Sequence, residues 1–369
     1  MLEKYKRYLV LLSKAIRSNY VKLQLPYKLT FSITNLCAFR CKSCGIWKKS
    51  PKNDLTYNEI ERFIIKNNYF SWIDLTGGEP WQRADFPDIC ELIIERCPNL
   101  MLLHFPTSGF LTDKIVQGTE RIRKYSKNNK IIISISMNGT KEIHDQFTGI
   151  KKSWEKAVET YCALKEIEGV EVYFGYTMSS FNSDTDIFES CFDELRSKIG
   201  KLDYCDIHLN IYHTSSHYYQ NTDSAICEAN NNWLLESIKK YRTKRNYRIY
   251  PVDYLEKKYQ SLAEKYIQYG YSPLNCLAIT SSVFIDPEGY VFPCSIWNKN
   301  LGSLRENRFD LRKIIHSPYS GKIQKKAFDL NCPNCWTPCE AYQSILGNIF
   351  NPYRIVMNKY RKRTRQRVK

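Results

Sequence analysis

Between residues 28 and 211, short apolar runs alternate with longer stretches whose apolar positions recur every three or four residues. The runs "KLTFSI" (28–33), "SWIDL" (71–75), "MLLHF" (101–105), "IIISIS" (131–136), "VEVYFGYT" (170–177) and "CDIHLNI" (205–211) are rich in Ile, Val, Tyr and Phe and bounded by polar segments. Those are the marks of buried strands. The stretches between them read as helices. One starts after Thr56, where Glu59 three residues on completes a capping box. Others run through "DFPDICELIIERC" (85–97) and "SWEKAVETYCALKEIEG" (153–169), the last ending at Gly169.

Repeated β-then-α units imply a parallel sheet with right-handed crossovers, either open or curled into a partial barrel. In both, ligands belong at the carboxyl ends of the strands. Around this 28–211 unit the chain divides further. Residues 1–27 form a basic amphipathic segment, with Tyr5, Tyr8, Leu9, Leu12 and Ile16 set against Lys4, Lys14 and Arg17, and read as a helix packed on the body. Residues 212–270, rich in Asn, Tyr and Lys, read as a helical linker. Residues 271–348 form a small C-terminal domain opened by "CLAITSSVFIDPEGYVFPC", two strands joined by the turn "DPEG". A basic tail occupies 349–369.

Composition narrows the class. Hydrophobic residues make up 43 % of 369, enough for a sizeable globular core. No apolar run approaches the roughly 20 residues of a membrane span, and "YLVLLSKAI" is broken by Lys14, unlike a cleavable signal. A cytoplasmic, reducing location follows, where clustered cysteines bind metal more readily than they form disulfides. The net charge of +17 is concentrated at the ends: the last twelve residues carry seven Lys/Arg and no acid. Such ends suit a solvated tail or peripheral contact with an anionic membrane. Basic residues are nowhere interleaved with aromatics in one stripe, which speaks against nucleic acid.

The chemistry lies in the cysteines. "CAFRCKSC" places Cys37, Cys41 and Cys44 in a C-x3-C-x2-C run directly after the first strand, and "TGGEP" (76–80) follows the second. Three thiolates without a nearby histidine fall short of the four ligands of structural zinc. On a [4Fe–4S] cubane they would leave one iron open. Thiolate softness alone does not choose between the metals.

C-x3-C-x2-C after strand one with "GGEP" after strand two resembles the radical S-adenosylmethionine (SAM) superfamily, and "SISMNGTKEIHDQFTGIKKSWEKA" (134–157) is similar to its fourth-strand region. The resemblance spans about 28–211 and implies a partial (βα)6 TIM-type barrel. It implies that Cys37, Cys41 and Cys44 ligate three irons and that SAM chelates the fourth. One electron would then release a 5′-deoxyadenosyl radical that abstracts hydrogen from an unreactive carbon. Gly77, Gly78, Glu79 and Pro80 would receive the SAM amino group, with Glu79 accepting from the ammonium, and Ser136 and Asn138 would lie near the ribose. Two departures touch SAM contact: Ser43 stands where an aromatic residue or His is usual, and Asn138 where "S-x-D-G" is common.

Downstream, Cys276-x12-Gly289-x4-Cys294 followed by Cys332-x2-Cys335 resembles the SPASM/twitch auxiliary domain of that superfamily. With Cys339 there are five cysteines, one too many for one cluster and too few for two. The expectation is one auxiliary [4Fe–4S] cluster on Cys276, Cys294, Cys332 and Cys335, with Cys339 able to replace one of the last pair and zinc as the alternative. Cys90, Cys97, Cys162, Cys191, Cys205 and Cys227 read as small core residues. His208, His213 and His217 near strand six stand either beside a substrate or between domains. The substrate is expected to be a small molecule, a sugar or a lipid-linked molecule. Ribosomal peptide maturation, RNA modification and a non-catalytic zinc protein are the alternatives. A ferredoxin or flavodoxin would supply the electron.

Overall fold

The computed structural model describes residues 2–126, 128–182, 185–227, 230–246 and 250–349. The basic tail therefore lies outside the described residues, apart from Ile349. Helix α1 (Leu2–Ser18) precedes β1 (Lys28–Ser32), and the βα units follow: α2 (Tyr57–Lys66), β2 (Trp72–Thr76), α3 (Phe86–Arg96), β3 (Leu102–Thr107), α4 (Thr112–Tyr125) and β4 (Lys130–Ser136). Next come α5 (Lys141–Thr148), α6 (Ser153–Lys165), β5 (Val170–Met178), α7 (Thr185–Ile199) and β6 (Ile207–Ile211). All six expected strands form, and Thr56 and Glu59 make the reciprocal capping box on α2. The helix expected to end at Gly169 stops at Lys165.

Strands β1 to β6 pair in parallel in chain order, giving the open (βα)6 barrel. Leu29, Phe31, Ile73, Leu75, Leu103, Phe105, Ile131, Ile133, Phe174 and Leu209 face the helices and share one core with Phe63, Ile89, Ile93, Ile115 and Ile238. Of the alternate positions, Lys28, Asp74, His104, Ser134 and His208 are polar and face the lumen. Lys28 Nζ pairs with Asp74 Oδ2 at 2.9 Å. His104 bridges the other oxygen of Asp74 (3.1 Å) to Ser134 Oγ (3.0 Å). Burial alone would push the Asp74 carboxyl up, but Lys28 and His104 outweigh it and hold the group below its ordinary range.

The C-terminal part continues the barrel sheet. Helices α8 (Asn231–Lys244) and α9 (Pro251–Tyr269) precede β7 (Ser282–Ile285), β8 (Tyr290–Phe292) and β9 (Gly302–Ser303). The expected hairpin forms, but β7 pairs in parallel with β1, so β7, β8 and β9 prolong the barrel sheet. After α10 (Leu311–Ile315) and α11 (Pro318–Phe328), α12 (Pro338–Gly347) closes the amino end of the lumen. There Lys28 Nζ donates to the Cys339 carbonyl at 2.7 Å and Trp72 stacks on Tyr342.

Between residues 212 and 270 the helices begin at Asn231; residues 212–227 run as an irregular strap. Helix α1 packs as expected, but through a different face. Leu11 and Ala15 meet Leu23, Tyr27 and Leu346. Lys14 Nζ turns inward to the Tyr69 carbonyl and Ser71 Oγ, and Arg7 reaches the Leu100 carbonyl.

Candidate functional site

Beyond β1 the chain is stapled by Asp54, which accepts from Thr34 Oγ1 and from the Asn35 backbone and amide nitrogens at 2.8–2.9 Å. The cysteine loop then lies along α5, with Arg40 N donating to Thr148 O and Lys42 N to Phe147 O. These anchors leave Cys37, Cys41 and Cys44 half-buried and close to one another. Burial pushes the Cys37 and Cys44 thiols up to about 11, opposed by the Phe39 and Ile46 N–H groups that point at their sulfurs.

The Gly77–Glu79 turn is laced onto the base of that loop: Gly78 N donates to Thr34 O at 2.8 Å and Glu79 N to Leu36 O at 2.9 Å. A Cβ on Gly78 would stand 2.2 Å from the Leu36 carbonyl oxygen and 2.9 Å from Cys37 Cβ. The glycine exists for this approach. Pro80 opens a short buried 3-10 turn. The Glu79 carboxylate is buried, close enough to Cys37 and Cys41 to raise their thiols. It accepts from Thr107 Oγ1 (2.9 Å) and Ser108 N (2.7 Å) at the end of β3. Burial pushes it up in spite of those bonds. It fixes the loop to β3; the loop's remaining groups are backbone.

Ser136 ends β4 half-buried, and Asn138 is buried, its N–H donating to His144 Nδ1 and its carbonyl accepting from Asn182. His144, which the sequence reading passed over, is driven down to about 4 by burial and is neutral.

The C-terminal cysteines separate four to one. Cys276, Cys294, Cys332 and Cys335 line one cavity with Trp297 and Glu340. Burial raises the Cys276 thiol well above its ordinary value, and Glu340 with the other three thiols raises it further. Cys339 lies outside this cavity, half-buried beside Lys28 and Asp74. Backbone N–H groups of Asn334, Thr337 and Ile296–Trp297 point at the sulfurs of Cys332, Cys335 and Cys294, as suits thiolates shared with iron. Among the described residues, neither set holds three sulfurs within 4.8 Å of one another. Both sets offer soft thiolate donors turned towards one another, the ligand type that an iron–sulfur cluster takes. Of the remaining cysteines, Cys90, Cys97, Cys191 and Cys205 are buried as expected, whereas Cys162 and Cys227 are exposed, on the outer side of α6 and at the end of the strap.

The strap ties both sets together. Tyr219 O accepts from Gly45 N (2.7 Å), next to Cys44, and Asn221 reaches Ser43 O. Tyr218 OH meets Thr76 Oγ1 at 2.7 Å, at the edge of the Gly77 turn. His217 Nε2 reaches Cys294 O at 3.1 Å, and His213 Nε2 accepts from Trp336 N, next to Cys335. Burial pushes both imidazoles down to about 4. His213 and His217 are thus buried fasteners, while His208 lines the lumen, stacked on Tyr173 at 4.3 Å. No motif marks Asp54, His144 or the lumen pairs. The one signal for the lumen pairs is a polar residue inside an otherwise apolar run, as at Asp74, His104 and Ser134.

Residues 31–191 match the model of the radical SAM superfamily and residues 276–340 that of an iron–sulfur cluster-binding domain, together more than half of the chain. The subtilosin biosynthesis protein AlbA of Bacillus subtilis (strain 168) is 22 % identical over 329 residues, which is 86 % of this chain and 66 % of AlbA. GTP 3',8-cyclase of Pasteurella multocida is 32 % identical over 145 residues, 36 % of this chain and 41 % of the cyclase. The chain thus spans just under two thirds of the first relative and about two fifths of the second. Among solved structures, Streptococcus suis SuiB bound to S-adenosylmethionine superposes with a TM-score of 0.57 at 14 % identity, over 82 % of this chain and 68 % of SuiB. The anSMEcpe structure with bound AdoMet gives 0.56 at 17 % identity, over 82 % and 84 %. At these identities the superpositions speak for the fold alone.

Proposed function

The chain belongs to the radical SAM superfamily and carries a C-terminal iron–sulfur cluster-binding domain, and on that premise we propose which residues hold its SAM and [4Fe–4S] cofactors. Cys37, Cys41 and Cys44 hold the cluster with the open iron, and Cys276, Cys294, Cys332 and Cys335 hold the auxiliary one. Bound together, the first cluster and SAM supply a one-electron cleavage to a 5′-deoxyadenosyl radical, able to take hydrogen from an unactivated carbon. The Gly77–Pro80 turn offers the SAM amino group its backbone, while Glu79 keeps that turn against β3. Ser136 and Asn138 serve the ribose, and His144 holds the Asn138 backbone. Four thiols leave no open iron at the second site, which suits electron transfer in a net oxidation or bond formation. A ferredoxin or flavodoxin serves as reductant.

The observation that carries this reading is the lacing of Gly78 and Glu79 onto residues 34–36, which sets a glycine turn against Cys37. For the substrate, the lumen of Ser134, His104, Asp74 and His208 favours a polar molecule or sugar. A peptide is the second reading, supported by the likeness to the subtilosin biosynthesis protein over most of this chain.

Iron and sulfide content of anaerobically purified protein tests the ligand sets. About eight irons are expected. The Cys37/Cys41/Cys44→Ala variant and the Cys276/Cys294/Cys332/Cys335→Ala variant should each keep about four. Cys339→Ala should keep all of them; loss of iron there would put Cys339 among the ligands. A wild type that holds zinc and no iron after reconstitution would end the proposal.

A further inference from the structure

Helix α1 turns outward the side that its sequence marks as apolar. Tyr5, Leu9 and Leu12 fall on one helical face and are 62 %, 68 % and 37 % exposed. Tyr20 and Val21, just past the helix, are 59 % and 51 % exposed. Five of the 13 exposed large hydrophobic side chains among the described residues thus lie within the first 21 positions. The packing of α1 does not account for them, because Leu11, Ala15, Lys14 and Arg7 on its other side already fasten it. Lys6, Arg17 and Lys22 stand exposed around the patch. From Lys4 to Asn53 the sequence has no Asp or Glu. Leu346 of α12 packs against the inner face of α1, so the chain leaves the described region beside this helix. The 20 residues that follow Ile349 then bring eight Lys/Arg and no acid.

We propose that this face docks on an anionic lipid surface. An apolar stripe rimmed by cations is the form of a helix that lies in the headgroup region, its apolar side sunk by about 5–10 Å. Charge separates this occupant from another copy of the chain, since two such faces would set cation against cation in a molecule of net charge +17. The placement has a functional consequence. Helix α1 is fastened to the segments that lead into β2 and β3, at Tyr69, Ser71 and Leu100, at the amino ends of the strands. The cysteine loop and the Gly77 turn leave the carboxyl ends. A docked molecule therefore holds its barrel mouth away from the bilayer and takes substrate from solution. The inference stands independently of the chemistry proposed above.

Co-flotation of the full chain with vesicles tests it. Binding to phosphatidylglycerol/phosphatidylcholine vesicles, absent on pure phosphatidylcholine and weakened by salt, is expected. Leu9→Glu with Leu12→Glu should lower partitioning more than about tenfold, and Leu9→Trp should preserve it. Each of Arg361→Ser, Arg363→Ser and Arg365→Ser should lower it by roughly fivefold at most. Both leucines are partly or wholly solvent-facing, so unchanged circular dichroism and iron content will verify that the variants fold. Failure of the wild type to float with anionic vesicles overturns the proposal. So does a Leu9→Glu/Leu12→Glu variant that floats like wild type, or one whose only change is loss of a concentration-dependent dimer. Salt-sensitive binding to RNA with none to vesicles would assign the charge to another partner and equally overturn it.

Discussion

Replacing Gly78 by alanine should damage SAM binding through a displacement that can be worked out from the backbone. The added Cβ would stand 2.2 Å from the Leu36 carbonyl oxygen, where ordinary contact begins at 3.4 Å, so one loop must retreat by about 1 Å. Backbone and not a flexible side chain is in the way, so the retreat breaks the bonds that lace the loops, Gly78 N to Thr34 O and Glu79 N to Leu36 O. At about 1 kcal/mol each, the loss is about 2 kcal/mol of stability, a drop of a few degrees in melting temperature. The functional loss is larger, because a shift of about 1 Å in groups that orient a reactant can cost up to about a hundredfold. Equilibrium dialysis of SAM against anaerobic protein reads the affinity, and iron analysis reads the clusters. The expected result is SAM affinity lowered by roughly ten- to a hundredfold, with the auxiliary site still loaded. Gly321→Ala is the control: like Gly78 it has no positive φ, and the nearest atom to its Cβ position is the flexible Lys22 Nζ at 3.9 Å, so it adds a methyl without moving the loop. A Gly78→Ala protein with wild-type SAM affinity and full iron would refute the role assigned to this contact.

Two further outcomes follow from buried charge. His144, with its folded pKa driven down to about 4 by burial, takes up a proton in the unfolded chain first. The stability this provides is complete above the unfolded value of about 6.5 and is lost as pH falls towards 4, about 2 kcal/mol of it between about pH 7 and about pH 5. Urea midpoints at both pH values should therefore converge in His144→Gln relative to wild type, and parallel changes in the two proteins would contradict the account. Lys28→Met should cost about 3–5 kcal/mol because it strands the buried Asp74 carboxylate, and adding Asp74→Asn should restore more than half of that. A double-mutant cycle by chemical denaturation measures the coupling, and additive losses would mean the pair does not act as one.

The strands, their parallel order and the two cysteine groups could be read from the sequence because each depends on short-range pattern. Apolar runs of strand length, a capping box at Thr56 and thiols spaced within one turn of loop are local facts. The hairpin turn "DPEG" is another, with Gly289 at a φ of 86° as its position requires. Fastening and facing are not local. Nothing near Glu79 in sequence announces that Thr107 and Ser108 will claim its carboxylate, and nothing near Cys339 says that Lys28 will draw it out of the second set. Helix α1 shows the limit most clearly. Its periodicity predicted a helix, but an amphipathic stripe does not state which side finds a neighbour. Leu11 and Ala15 met α12, and Lys14 found two oxygens to bond inside. The sequence by itself determined which elements form and which residues carry soft-metal chemistry. Only the tertiary structure decided which thiols share a cavity and which face of α1 the body of the protein leaves exposed, because both depend on groups brought together across hundreds of residues.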